Sequence, residues 1–212
     1  GEPDVEEMEH ALADAKAAAA KLRAEGKEEE AAQMDEMVAK LEQALDAQHE
    51  AQERKEEAEL VHAAGEAAEQ AAEAAEAADK VASKLEELGD EEDAAQVRGW
   101  QQMLEGGHES GEDLAQAAHE AHELAIKLRQ EGKEEEANEV EKLALMLDAS
   151  AEKKLEVEQK EKEKEAKQDM KEAAEAGHAL ADKLREDGNE ELAEMVDISV
   201  ETITNDLQYA LG

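Results

Sequence analysis

Apolar residues recur along the chain at alternating spacings of three and four. They run through one early segment as Val5, Met8, Leu12, Ala15, Ala19 and Leu22, and return later as Leu114, Ala118, Ala121, Ala125 and Leu128. One face of an α-helix has this period. The pattern predicts amphipathic helices with narrow, alanine-rich seams, and therefore an all-α protein whose core is thin.

A short motif occurs four times and predicts helical hairpins. Its copies are KLRAEGKEEEA at 21–31, KLEELGDEEDA at 84–94, KLRQEGKEEEA at 127–137 and KLREDGNEELA at 183–193. The central glycines suit the left-handed conformation that ends a helix: Gly26, Gly89, Gly132 and Gly188. The acids that follow each glycine suit the positive end of the next helix, and most of the bases before it suit the negative end of the preceding one.

The spacing of these glycines predicts two similar halves, 1–108 and 109–212, each with two antiparallel hairpins. The halves are expected to form one continuous folded unit. They are joined by a glycine-rich loop at 105–111, in which Ser110 is placed to cap the next helix.

The number of helices is left open between six and eight. Residues 27–64 and 133–176 contain no Gly or Pro. Either two long helices run near 28–88 and 134–187, each with a short helix folded back at both ends, or turns near Asp46 and Ser150 divide them into an αα-repeat. The apolar seam fades at 46–59 and 156–165, which favours solvated single helix there, with a flexible charged linker as the alternative.

Composition excludes several classes of function. The 212 residues carry 23 Lys and Arg against 61 Asp and Glu, a net charge of -38, so binding to nucleic acid or to an anionic membrane is not expected. The absence of cysteine excludes disulfides, cysteine-ligated zinc and thiolate catalysis. No long apolar run and no basic, apolar leader is present, which predicts a soluble protein without a signal peptide or transmembrane segment, consistent with the cytoplasm.

The regular glycine turns, the helices of Ala, Glu, Lys and Leu, and the scarcity of aromatic residues extend over the whole chain. In these features the sequence resembles idealised, computationally designed helical bundles and helical-repeat proteins. The resemblance implies a stable scaffold without evolved catalytic activity. The chain departs from it at Gly65, Gly99 and Gly177, which interrupt helices and mark either close packing or a vacated cavity.

No catalytic motif is recognisable. The serines lie outside any nucleophile elbow and the phosphate-binding glycine motifs are missing, so we do not expect an enzyme. Trp100 is predicted to lie in the core rather than to stack on a ligand. The same prediction covers Met34, Met37, Met103, Met146 and Met195.

Histidines are the remaining candidates for chemistry. His119 and His122 lie three apart on one helix and could chelate one ion. In the second, third and fourth hairpins, the residues ten and thirteen positions before the turn glycine are all acids or histidines. These equivalent residues are the candidate metal ligands: Glu76, Asp79, His119, His122, Glu175 and His178. If the hairpins close around one axis these groups converge, as Glu-x-x-His motifs do in di-iron and di-manganese bundles, for zinc or iron.

Three alternatives stand beside that site. The histidines could instead lie singly on an acidic helical surface. His122 or His178 could be the axial ligand of a haem or another porphyrin. The helices could also mediate self-association or hold a basic partner, although no residue singles out that function.

Overall fold

The computed structural model describes the backbone of residues 4–211 and the side chains of residues 4–205. This part of the chain forms six helices and no strand: α1 Val5–Ala24, α2 Glu28–Glu87, α3 Glu91–Gly106, α4 Gly111–Gln130, α5 Glu134–Glu186 and α6 Glu190–Leu211. The predicted all-α fold of antiparallel hairpins is confirmed. The two long helices, of 60 and 53 residues, pass through Asp46 and Ser150 without interruption, so the eight-helix alternative is wrong.

The four glycine turns have the predicted geometry. Their φ angles lie between 78° and 83°, in the left-handed region. At Gly26 the glycine N–H donates to the carbonyl of Arg23, and the next N–H, of Lys27, donates to Leu22. The same two bonds recur at each of the other three turns, and they satisfy carbonyls that would otherwise be unpaired at the helix end.

The loop between α3 and α4 also matches its prediction. Gly107 ends α3 in a left-handed conformation at φ 67°. The Ser110 hydroxyl accepts a hydrogen bond from the Asp113 N–H at 3.1 Å, and Ser110 therefore caps α4.

The chain folds into two compact units, of which one is continuous in sequence and the other is formed by the segments before and after it. Unit 1 comprises 1–56 and 163–212, and unit 2 comprises 57–162. These units do not coincide with the predicted halves 1–108 and 109–212. Within the units, the first hairpin pairs with the fourth and the second with the third.

Unit 2 has the larger core. It contains residues 57–87 of α2, all of α3 and α4, and residues 134–162 of α5, with α3 in contact with α4. Its largest fully buried apolar side chains are Leu85, Val97, Leu128, Val140, Leu143 and Leu147. Trp100 is buried among them, as predicted.

Unit 1 has the thin core that the alanine-rich seam predicts. It contains α1, residues 28–56 of α2, residues 163–186 of α5, and α6, with α1 in contact with α6. Its apolar cluster centres on Met8, Leu12 and Leu45. The rest of its buried apolar surface comes mainly from alanines such as Ala15 and Ala19.

The methionine prediction is only partly confirmed. Met103 and Met146 pack against the core of unit 2. Met37 and Met195, in contrast, are more than half exposed, so the prediction that they fill core gaps is wrong. Both lie on helical faces that the packing of unit 1 turns toward solvent.

The charged stretches are helical, as predicted, but they are not solvated single helices. In unit 1, Lys171 donates to Glu53 at 2.9 Å and Lys167 donates to Glu56 at 2.5 Å, so α5 pairs with α2 there. In unit 2, Val157 is buried and the Glu158 carboxylate accepts a hydrogen bond from the Gly111 N–H at 2.8 Å. In these stretches the helices are held together by ion pairs and by isolated contacts such as those of Val157 and Glu158, and no continuous apolar seam is present.

Candidate functional site

Three of the six candidate metal ligands lie in a charged arrangement that recurs at the hairpins. The residue nine positions after each turn glycine contacts the residue three positions before that glycine, across the two helices of the hairpin. The four pairs are Arg23–Asp35, Glu86–Arg98, Arg129–Glu141 and Arg185–Asp197. In the second, third and fourth hairpins, the residue ten positions before the glycine also contacts the same partner. We call each such set of residues a hairpin clasp.

The third clasp contains His122 of α4. Its Nδ1 lies 2.9 Å from Glu141 Oε1 and its Nε2 lies 3.0 Å from Asp148 Oδ2, both on α5. An imidazole can donate from both nitrogens only when it is protonated. The pKa of His122 lies above its ordinary value. The hydrogen bond with Asp148 is the largest cause of the increase, and the hydrogen bond with Glu141 also raises the pKa, whereas burial lowers it. When it is protonated, His122 therefore donates to both carboxylates and forms a cationic bridge between α4 and α5.

The fourth clasp is the most buried. Asp197 of α6 is almost fully buried and accepts hydrogen bonds from Arg185 Nη2 at 2.5 Å and from His178 Nδ1 at 3.2 Å. Burial by itself raises the pKa of Asp197, but the hydrogen bonds from His178 and Arg185 together outweigh it and hold the pKa below its ordinary value. The carboxylate of Asp197 is thus charged, and it accepts hydrogen bonds from both Arg185 and His178 of α5.

The second clasp has the opposite polarity. Here the base, Arg98, follows the glycine and lies between two acids of α2, Glu86 and Asp79. Its Nε donates to Glu86 at 2.9 Å. The first clasp lacks the third member, because Lys16 lies instead 3.3 Å from Asp182 of α5 and 3.5 Å from Glu42 of α2.

The predicted metal ligands are distributed over several different contacts. Asp79 and His122 belong to the clasps of unit 2, and His178 belongs to a clasp of unit 1. Glu76 pairs with Lys80 and His119 with Glu123, each one turn away on its own exposed helical face. Glu175 is also exposed. His119 and His122 therefore have different partners and do not share one.

Unit 1 contains a polar group that the sequence reasoning missed. Glu9 of α1 is partly buried, and its Oε1 lies 3.8 Å from His49 Nε2 of α2. Burial raises the pKa of Glu9, the charges of His49 and His178 lower it by less, and Glu201 raises it further. These residues come from all four helical segments of the unit. No spacing within one helix could have revealed the group, since only packing brings its members together.

The clasps themselves had a signal in the sequence. In the second, third and fourth hairpins, residues 19 positions apart across the turn are chemically complementary: Asp79 with Arg98, His122 with Glu141, and His178 with Asp197. Aligning the hairpins on their glycines in both directions, instead of only backwards, would have found these pairs.

Among the residues that the structure describes, no group of three or more His, Asp and Glu side chains has a geometry that could hold a metal ion. None of the helices, over the same residues, is long and apolar enough to cross a membrane. No protein-family model, curated protein or solved structure matches the chain.

Proposed function

We propose that this protein is a helical scaffold of the idealised type, without catalytic activity, whose hairpins are held closed by the charged clasps. The observation that supports the proposal is the recurrence of the clasp. Side chains with the chemistry for acid–base or metal work, such as His122, Asp197 and Arg98, contact oppositely charged partners across the two helices of a hairpin. Their common role is to connect helices.

The reversed second clasp allows a direct test of that role. Replacing Arg98 by Asp places three acids together and is expected to lower the melting midpoint. Adding Glu86→Arg and Asp79→His then reproduces the arrangement of the third and fourth clasps, and we expect the triple variant to regain most of the loss. Circular dichroism melts measure both. A triple variant that melts as low as Arg98→Asp would contradict the structural role of the clasp.

A ligand test distinguishes a scaffold from a binding protein. The melting midpoint of the metal-free protein is compared with the melting midpoint of the protein in saturating Zn²⁺, Fe²⁺ or haem. Binding to the folded state adds about 2.7 kcal/mol at a hundred times the dissociation constant. A scaffold is expected to melt at the same temperature in all four conditions, and a shift that depends on one histidine would overturn the proposal.

A second candidate function, a histidine-centred metal protein, is favoured by one observation in unit 1. His178 contacts the carboxylate of Asp197 through Nδ1, which is the arrangement that orients metal-binding histidines and leaves Nε2 to take the ion. Glu9 and His49, in the same polar group, would supply the further ligands, but among the described residues they do not form a metal-binding geometry with His178 as they stand. An ion would have to draw these side chains together, and a porphyrin would use the same nitrogen of His178.

The two candidates predict different results for matched histidine variants. For the metal protein, a Zn²⁺-dependent rise in the midpoint is lost in His178→Ala and is kept in His119→Ala, since His119 is exposed and pairs only along its own helix. For the scaffold, Zn²⁺ has no effect on any of the three proteins.

A further inference from the structure

The middle of α6, residues 195–203, turns uncharged residues toward solvent, which is unusual for a helix of this highly charged chain. Over 195–203 the charged residues are Asp197 and Glu201, and both are turned inward: Asp197 is buried against Arg185, and Glu201 is partly buried beside His10, with its Oε1 3.0 Å from His10 Nδ1. The residues that face outward are uncharged: Met195, Ile198, Ser199, Thr202 and Ile203.

This outward surface, which we call the α6 face, also includes Leu192 at its beginning. Leu192, Met195, Ile198 and Ile203 are each more than half exposed. Leu180, on the other helix of the same hairpin, is exposed to a similar extent. In a chain of which 40% is charged, a solvent-facing helical surface without charge over nine positions is an exception. Contiguous apolar surface of this kind marks interaction sites, whereas single exposed apolar residues do not.

Rotating α6 by half a turn would place Met195, Ile198 and Ile203 inside and Asp197 and Glu201 in water, although it would also expose Ala193 and Val200, which now pack inward. The structure instead holds the acids inside through His10, His178 and Arg185. These contacts fix the rotation of the helix, and they leave an apolar surface that is stabilised only when something covers it.

The negative charge of the chain around the α6 face indicates which kind of partner could cover it. A second copy of the chain would bring another net charge of -38 against the first, and Glu191 and Glu194 lie exposed at the start of the α6 face. A helix with one apolar side and flanking Lys and Arg matches both the apolar stripe and its acidic surroundings. We propose that the α6 face docks a cationic amphipathic helix. This goes beyond the scaffold function, which requires no partner.

The test uses the full chain and a fluorescein-labelled amphipathic peptide of Leu and Lys, with binding followed by anisotropy at physiological ionic strength. A peptide of the same composition, scrambled to destroy its apolar side, measures binding by charge alone. We expect the amphipathic peptide to bind at least tenfold more tightly than the scrambled one. Equal affinities would overturn the proposal, because only non-specific attraction between opposite charges would remain.

A pair of matched variants locates the binding. Met195→Gln with Ile198→Gln removes the centre of the α6 face without changing charge, and is expected to weaken binding of the amphipathic peptide at least tenfold. Ile126→Gln with Leu145→Gln changes two equally exposed apolar residues of unit 2 and is expected to leave the affinity unchanged within twofold. Unaltered melting curves confirm that both variants are folded.

Two results would contradict the assignment. If both double variants, or neither, weaken binding, the α6 face is not the docking surface. If light scattering shows the free chain to be a dimer that the α6 variant dissociates, then the occupant is a second copy and the cationic helix is wrong.

Discussion

Gly177 of α5 lies directly against Val200 of α6, and a Cβ atom added at Gly177 would overlap the Val200 Cγ2 methyl group. This contact brings the two helix backbones of the fourth hairpin close together. Val200 is β-branched and its side chain has little rotational freedom, so it cannot move aside without a change in the backbone.

We therefore expect Gly177→Ala to lower the free energy of unfolding by about 1–3 kcal/mol, even though alanine favours helix. Gly65→Ala is the matched control: Gly65 lies inside α2 with no atom near its added Cβ, and the same change there is expected to stabilise by about 1 kcal/mol. Urea unfolding measures both. Combining Gly177→Ala with Val200→Ala should recover part of the loss, and stabilisation by Gly177→Ala alone would show that the helices are not in close contact.

The His122 bridge predicts a stability that depends on pH. Because the folded-state pKa of His122 is raised, its contribution is complete below about pH 6.5, the ordinary histidine value, and is lost as the pH rises through the folded-state pKa. We expect His122→Gln to cost about 0.5–1 kcal/mol at pH 5.5 and clearly less at pH 8.5. His119→Gln, which removes only a contact within α4, should have little effect at either pH. A cost for His122→Gln that grows with pH would contradict the bridge.

The buried clasp of unit 1 is expected to be the most sensitive to mutation. Asp197→Ala leaves Arg185 without its buried partner and should cost about 3 kcal/mol. Asp35→Ala removes the residue at the same position of the first hairpin, where the carboxylate is half exposed, and the loss should be much smaller. Replacing both charges, with Arg185→Met and Asp197→Leu, is expected to recover most of the stability.

Acid provides an independent check on Asp197. Its depressed folded-state pKa means that the contribution is present above about pH 3.9, the ordinary value for Asp, and is lost as the pH falls through the folded-state pKa. The difference in unfolding free energy between the wild type and Asp197→Ala should therefore narrow below pH 4. A constant difference down to pH 2 would mean that the charge of Asp197 contributes little.

Replacing Glu9 is expected to change the free energy of unfolding in the opposite direction from replacing Asp197. Its pKa is raised chiefly by burial, so its charged form is unfavourable at neutral pH. Glu9→Gln is expected to raise the free energy of unfolding at pH 7 by up to about 1 kcal/mol, and the gain should disappear as the pH falls and the glutamate becomes neutral as well. Glu7→Gln, on the exposed side of the first turn of α1, removes a favourable interaction with the helix dipole and should lower the stability slightly, not raise it. A loss of stability in Glu9→Gln would show that the pair with His49 outweighs the cost of burial.

Local features of this protein could be read from the sequence alone. The seam Leu114 to Leu128, the glycine turns and the Ser110 cap are all where the pattern predicts them. Each depends on residues within a few positions of one another, because helix periodicity, left-handed glycines and caps are properties of one or two turns of helix.

Contacts between helices were decided only by the tertiary structure. The helical pattern is compatible with a turn at Ser150, yet α5 continues through it, with Ser150 and Ala151 buried. The pairing of the first hairpin with the fourth is likewise a contact between segments far apart in sequence. The inward rotation of Asp197 and the outward position of Met195 depend on Arg185 and His178 of the neighbouring helix. The three-four period specifies that a helix has two faces, but when both faces carry apolar residues, only the partners across the interface determine which of them is buried.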